Sequence, residues 1–170
     1  AKIGQMLQDV FLFSGTIASN IRLMNEDITD HEIVEASTYV GADRFIDRLP
    51  NKYGEIVRER GNNFSSGQRQ LLSFARTVVH KPSIMILDEA TANIDTETEI
   101  LIQESLKKMM NIGTMLIVAH RLSTIQHVNK IMVMQKGRII EEGTHQQLLR
   151  KKGHYYNLYR LQYDKKIISK

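Results

Sequence analysis

The sequence predicts an α/β fold: a parallel-sheet core carrying an all-helical subdomain inserted after the first strand. Three observations predict it. Beyond residue 80, short continuous apolar runs alternate with amphipathic helical stretches, the pattern of strands and crossover helices. Between about 14 and 80 the apolar spacing is almost purely helical. The run Ile84-Met85-Ile86-Leu87 is bounded by Pro82 and the acid pair Asp88-Glu89, which suits a strand buried on both faces of a parallel sheet.

The elements follow in order. Residues 1–13 form an apolar lead-in, with a strand ending near Met6-Leu7. Residues 14–20 read as a short polar-faced helix. Thr29 and Glu32 have the spacing of a capping box, in which hydroxyl and carboxylate satisfy free amides of the first helical turn. That helix should run through Tyr39, with Gly41 closing it in the left-handed conformation. A second short helix over 42–48 must stop before Pro50. Residues 52–63 are charged and loop-like. From Gly67 to Val79, the residues Leu71, Leu72, Phe74, Ala75, Val78 and Val79 define one buried helical stripe.

Thr96 and Glu99 predict a second capping box and a helix over 96–110. Residues 115–119 form a second buried strand and 131–134 a third, which Lys136-Gly137 turns into Arg138-Ile139-Ile140. Thr144 and Gln147 cap a helix ending near Gly153, and a last helix covers 155–163. The domain reading is therefore 1–13 and 80–163 as the sheet core, 14–79 as the helical subdomain and 164–170 as a tail.

Composition narrows the function classes. Hydrophobic residues at 42% and charged residues at 25% are enough for a packed core, which excludes a disordered chain. The absence of cysteine excludes a disulfide scaffold, a thiolate metal site and a cysteine nucleophile. No apolar run approaches the roughly 18 residues that span a bilayer, and the start does not look like a signal peptide, so a cytosolic location is expected. The net charge of +4 is mild, and the basic excess gathers in Arg150-Lys151-Lys152 and Lys165-Lys166. A solvated helix end and a tail account for it better than a nucleic-acid footprint does.

Chemistry concentrates at three places. An apolar strand ending in Asp88-Glu89 puts two carboxylates at the carboxyl edge of a parallel sheet, where open α/β folds bind ligands. Asp88 would hold Mg²⁺ and Glu89 would polarise a water, although acids after strands also serve as helix caps. His120 follows the next strand and could reach the same bound phosphate, or be a turn residue. Phe64-Ser65-Ser66-Gly67-Gln68 leads into the amphipathic helix, where free amides and the helix dipole favour an anion. In isolation that pentapeptide also suits a Ser-capped helix with nothing bound.

Together these residues resemble the nucleotide-binding domain of ATP-binding cassette (ABC) transporters, most closely the exporter type. Residues 64–68 with Arg69-Gln70-Leu71 resemble the signature motif, and 84–89 the Walker B strand with its catalytic glutamate. Ala90-Thr91-Ala92-Asn93-Ile94-Asp95 looks like the D-loop, His120 like the switch histidine, and Gln8 like the Q-loop glutamine. Glu59-Arg60-Gly61 resembles the exporter X-loop.

The resemblance implies a P-loop NTPase (RecA-like) sheet core and a transport-coupled ATPase that takes ATP and Mg²⁺. It implies Asp88 and Gln8 at the metal, and Glu89, His120 and Gln8 as catalytic. Ser65, Ser66, Gly67 and Gln68 would close on the nucleotide of a partner domain, and Asp95 would cross that interface. It also implies two partners: a second nucleotide-binding domain, identical or paralogous, and a transmembrane domain reached through the Q-loop and X-loop. No nucleic-acid partner is expected, and the location becomes the cytoplasmic face of the cell membrane. A cassette ATPase acting on DNA or ribosomes, and a degenerate sensing or interaction domain, are the rival readings.

Two departures matter. Phe64 stands where the signature usually begins with Leu, and Ser66 where it has its first Gly. No Gly-x-x-x-x-Gly-Lys-Ser/Thr run occurs in the 170 residues, so the chain resembles the carboxyl-terminal two-thirds of the domain. In the family the P-loop strand lies between the strand leading to His120 and the one at 131–134. Those two strands are therefore expected either to pair directly or to expose edges that recruit other chains.

Overall fold

The computed structural model describes residues 3–7, 10–88 and 96–168, with side chains as far as Gln162. The chain divides into two compact units, Ala1–Val118 and Ala119–Lys170.

In the first unit, β1 (Ile3–Met6) is followed by β2 (Gly15–Thr16), α1 (Ile17–Arg22), α2 (Asp30–Tyr39), α3 (Asp43–Ile46) and β3 (Ile56–Val57). Then come α4 (Ser66–Val79), β4 (Ile84–Asp88), α5 (Thr96–Met109) and β5 (Thr114–Val118). The sheet order is β1-β4-β5, all parallel, with Met6 opposite Leu87 and Asp88 opposite Val118. The expected capping box at Thr29 is present: Thr29 Oγ1 accepts from Glu32 N–H at 3.2 Å, and Glu32 Oε2 from Thr29 N–H at 3.1 Å. Gly41 adopts φ 72° just beyond α2.

Two expectations change. The segment between 14 and 79 is not wholly helical, because Gly15 and Thr16 pair antiparallel with Val57 and Ile56. The first helix starts at Ile17, since Thr16 caps it through its own box with Ser19. The expected Thr96–Glu99 box adjoins residues 89–95, which lie outside the described residues.

Burial in the sheet is one-sided. Strand geometry sends Met85 and Leu87 to one face, joined by their register partners Met115 and Ile117. These pack into the core formed by Leu71, Leu72, Phe74, Ala75, Ile102 and Met109 of α4 and α5. On the opposite face Ile84, Leu116 and Val118 are 37%, 48% and 51% exposed. The expectation of strands buried on both faces is thus corrected: the helices of this unit cover one face.

The second unit contains α6 (Leu122–Ile125), β6 (Ile131–Gln135), β7 (Arg138–Gly143), α7 (His145–Lys151) and α8 (His154–Ile168). Strands β6 and β7 form an antiparallel hairpin of their own, with a register shift between Val133 and Met134. Its two-residue turn, Lys136-Gly137, has positive φ at both positions (49° and 75°), as a twisted hairpin requires. Strand β6 is thus not a third buried parallel strand; Met132 and Met134 are exposed. Nor does it pair with β5, because the two lie in different sheets. Leu122, Ile131, Leu148 and Tyr155 form a small separate core. Helix α7 has the expected Thr144–Gln147 box and ends on Lys152 in the left-handed conformation. No described helix is long and apolar enough to cross a membrane.

Candidate nucleotide site

The best-defined piece of the site is the amino terminus of α4. Phe64 is buried, and its ring meets that of Phe45 edge-on at 6.2 Å between centroids. This anchors the chain just before the helix. Ser65 is the cap residue. Its hydroxyl accepts from Gln68 N–H at 3.1 Å, and Gln68 Oε1 accepts from Ser65 N–H at 3.0 Å. Gln68 therefore acts locally as the second half of a capping box, a role its spacing from Ser65 made readable. The box engages the Gln68 amide of the first turn. The first turns of α2 and α5 carry acids, whereas that of α4 carries none. The positive end of the α4 dipole thus keeps its preference for an external anion.

Arg69 ties this turn to the preceding loop. Its Nη1 donates to Phe64 O at 2.7 Å and to Gly61 O at 3.4 Å. The residues Glu59–Gly61 form a single 3₁₀ turn, with Arg60 at φ 55° and Gly61 at φ 68°. A Cβ at Gly61 would lie 2.8 Å from Leu12 Cδ1 and 3.1 Å from Arg69 Cδ, so glycine is demanded by both space and backbone. Glu59 itself is exposed.

Asp88 is the last residue of the central strand β4, half-buried at the carboxyl edge of the parallel sheet. That edge is where parallel sheets present ligand-binding groups. Its register partner Val118 ends β5, and His120 follows two residues later, exposed, in the second unit. Gln8, Glu89 and Asp95 lie outside the described residues. Ser65, Ser66, Gly67 and Gln68 thus form one cluster, and Asp88 takes the expected sheet-edge position.

The residues following Gln8 are firmly held. Leu12 is fully buried. Asn20 Oδ1 accepts from Phe13 N–H at 2.9 Å, while its Nδ2 donates to Phe13 O at 2.8 Å and Thr16 O at 3.1 Å. Arg76 of α4 reaches Phe11 O at 3.1 Å and the backbone carbonyl of Asn20 at 2.8 Å. Burial lowers the Arg76 pKa from the ordinary arginine value. This bracing brings Phe11 and Phe13 to the surface, about half exposed and edge-to-face at 5.0 Å. Sequence reasoning missed Asn20 and Arg76. The available signal was a polar residue in each of two otherwise apolar helical stripes.

Comparison with known proteins places these features in context. The family profile described as ABC transporter matches residues 1–92. The chain is 56% identical over 160 residues to the putative ABC transporter ATP-binding protein exp8 of Streptococcus pneumoniae, covering 94% of this chain and 27% of that protein. It is 49% identical over 160 residues to the probable multidrug resistance ABC transporter ATP-binding/permease protein YheH of Bacillus subtilis, covering 94% and 24%. Among solved structures, a bacterial Atm1-family ABC exporter with ATP bound superposes with a TM-score of 0.85 at 37% identity, covering 95% of this chain and 28% of that one. The chain thus spans about a quarter of the length of the curated relatives it matches.

Proposed function

This chain belongs to the ABC transporter family, and from that premise we propose that it is part of the ATP-binding, ATP-hydrolysing domain of an exporter that powers transport across the membrane. The likeness to an exporter solved with ATP bound, extending over 95% of this chain, carries the reading. The chemistry is phosphoryl transfer to water, in which the protein supplies position and charge neutralisation.

Each residue has a part to play. Asp88 offers a hard oxygen donor at an open sheet edge, which fits Mg²⁺, an ion that takes one or two carboxylates and fills its other positions with water and phosphate oxygens. Asp88 and Gln8 would hold that ion. Bound Mg²⁺ supplies neutralisation of phosphate charge. Glu89 orients or deprotonates the attacking water. His120 contacts the terminal phosphate. The Ser65–Gln68 turn closes over the nucleotide of a second nucleotide-binding domain, with Ser65, the amides near Gly67 and the α4 dipole as its anion-binding elements. Asp95 crosses that interface. Phe11, Phe13 and Glu59 face a transmembrane domain, which sets the location at the cytoplasmic side of the membrane. Because the 170 residues contain no P-loop run, this stretch alone is expected to hydrolyse ATP negligibly.

The test uses the full-length polypeptide. Glu89→Gln keeps shape and hydrogen bonding but cannot take a proton, so ATP binding by calorimetry should persist while turnover falls by about 10²-fold or more. Near-normal turnover in that variant would remove Glu89 from the reaction. Absence of ATP binding by the unsubstituted polypeptide would defeat the whole reading.

A further inference from the structure

We propose that Gln162, on the last helix of the chain, is a positioning residue for His120. The inference rests on the reading above, in which His120 meets the terminal phosphate. The amide of Gln162 makes two hydrogen bonds to one short stretch of backbone. Its Nε2 donates to His120 O at 3.1 Å, and its Oε1 accepts from Leu122 N–H at 3.0 Å. One planar group therefore fixes the peptide carbonyl on one side of Arg121 and the peptide N–H on the other.

Local sequence does not supply this restraint. Helix α6 is only four residues long, and its cap position is Arg121, which makes no side-chain capping bond. A helix so short has almost no intrahelical bonding to hold its first turn. The missing cap comes from a residue 40 positions away in sequence. Because Arg121 is extended, at φ −116° and ψ 125°, His120 stands outside the helix, and its backbone direction depends on the bond to its carbonyl. The imidazole is exposed, so packing does little to aim it. With the backbone held at both flanks, the direction of the His120 Cα–Cβ bond is set before substrate arrives. Such pre-orientation matters because a misplacement of about 1 Å can cost about 10²-fold in rate.

A cap role and a positioning role predict different things, and substitution separates them. Gln162→Glu keeps an oxygen for Leu122 N–H but has no donor for His120 O. Gln162→Ala loses both. Mg-ATP hydrolysis by the full-length transporter is measured for each, alone and combined with His120→Ala. Backbone exchange of the peptide spanning 119–124 is read alongside by mass spectrometry. The expectation is a fall in kcat of about tenfold or more for both Gln162 variants, with KM for ATP within about twofold and cooperative melting retained. Exchange should accelerate in the 119–124 peptide. Adding Gln162→Ala to His120→Ala should cost nothing further.

Full kcat in Gln162→Glu would overturn the proposal, since capping of α6 would then suffice. Unchanged kcat in Gln162→Ala, or an additive loss in the double variant, would overturn it as well. Should Gln162→Ala fail to fold, Gln162→Glu alone decides by the same criterion. An unsubstituted transporter that does not hydrolyse ATP, or a His120→Ala variant with normal turnover, would defeat the functional reading and this inference with it.

Discussion

Arg76 donates from Nε to the backbone carbonyl of Asn20 at 2.8 Å and from Nη2 to its side-chain oxygen at 3.2 Å. The guanidinium is partly buried and spends its donors on neutral oxygens, including Phe11 O. A planar fork suits this better than an ammonium would. Helix α4 carries the Ser65–Gln68 turn at its start and Arg76 near its end, so one rigid element links that turn to the segment displaying Phe11 and Phe13.

Substitution of Asn20 should therefore be costly. Asn20→Ala leaves Phe13 N–H, Phe13 O and Arg76 Nη2 without this partner, at about 2–4 kcal/mol. Asn20→Asp adds a charge opposite Arg76, yet places a second acceptor against Phe13 O and Thr16 O, so it too should destabilise at neutral pH. Denaturant unfolding checks both. An Asn20→Asp variant as stable as the parent would show that the ion pair outweighs the carbonyl repulsion.

Glu141 governs the head of the last helix. The carboxylate is buried and accepts from His154 N–H at 3.1 Å and Tyr155 N–H at 2.9 Å, one on each oxygen. The Tyr155 amide is the largest cause holding its pKa below the ordinary glutamate range, with His154 N–H and nearby cationic groups adding to it against the burial cost. A lowered folded pKa means that this contribution is complete above the unfolded value of about 4.3 and is lost as pH falls below it. Glu141→Gln should flatten that acid limb, because an amide does not titrate, and should lower stability at neutral pH, because only one of its two polar atoms can accept. A Cβ at Gly153 would overlap Glu141 Oε1, so Gly153→Ala should mimic Glu141→Gln, and the double variant should add little. Acid titrations followed by tyrosine near-ultraviolet dichroism measure all three.

His145 sets a second, milder pH dependence. Its Nδ1 lies 2.7 Å from Tyr155 Oη, and its ring packs against Tyr159 with centroids 5.4 Å apart. Burial, and secondarily His127, lowers its pKa below the ordinary histidine value. The folded state thus resists the proton that the unfolded chain takes up at about pH 6.5. Stability should be full above that pH and decline as pH falls below it. His145→Gln should remove this part of the profile. Nuclear magnetic resonance titration of His145 checks it directly; a midpoint at or above 6.5 would contradict the prediction.

Local signals and tertiary ones differed in how far they could be read. Capping boxes at Thr29 and Thr144 announced themselves, because their chemistry spans three residues and needs no partner element. The strand Ile84–Asp88 was legible for the same reason: a run of apolar residues ending in acid is a local pattern. One-sided burial was not, because continuous apolarity gives the same letters whether one face or two are covered. The Gly15–Val57 pairing and the Gln162 contacts join residues about 40 apart, and nothing in the spacing of either partner points to the other. Among the candidate site residues, the Ser65–Gln68 turn was readable as a Ser-capped helix, whereas Arg69, Arg76 and Asn20 gain their roles only through backbone carbonyls brought close by folding.

The open face and edge of β5 carry the last prediction. Among the described residues β5 pairs only with β4, so its other edge has no strand partner. Leu116 and Val118 stand about half exposed on the uncovered face, beside Ile84. An apolar edge strand of five residues with no proline or charge within it is a template for other chains. The 170-residue chain should therefore self-associate as concentration rises, giving a light-scattering mass above 19.6 kDa. Leu116→Lys places a charge on the open face without removing a core contact, because Met115 and Ile117 are the neighbours that turn inward. That substitution should return the chain to the monomer at little cost in stability, since surface changes of this kind usually stay within about 0.5 kcal/mol. Hydrogen exchange over 114–118 gives an independent check, with protection rising with concentration in the parent chain and not in the variant. A parent chain that stays monomeric at high concentration would show that this edge is too short or too twisted to recruit a partner.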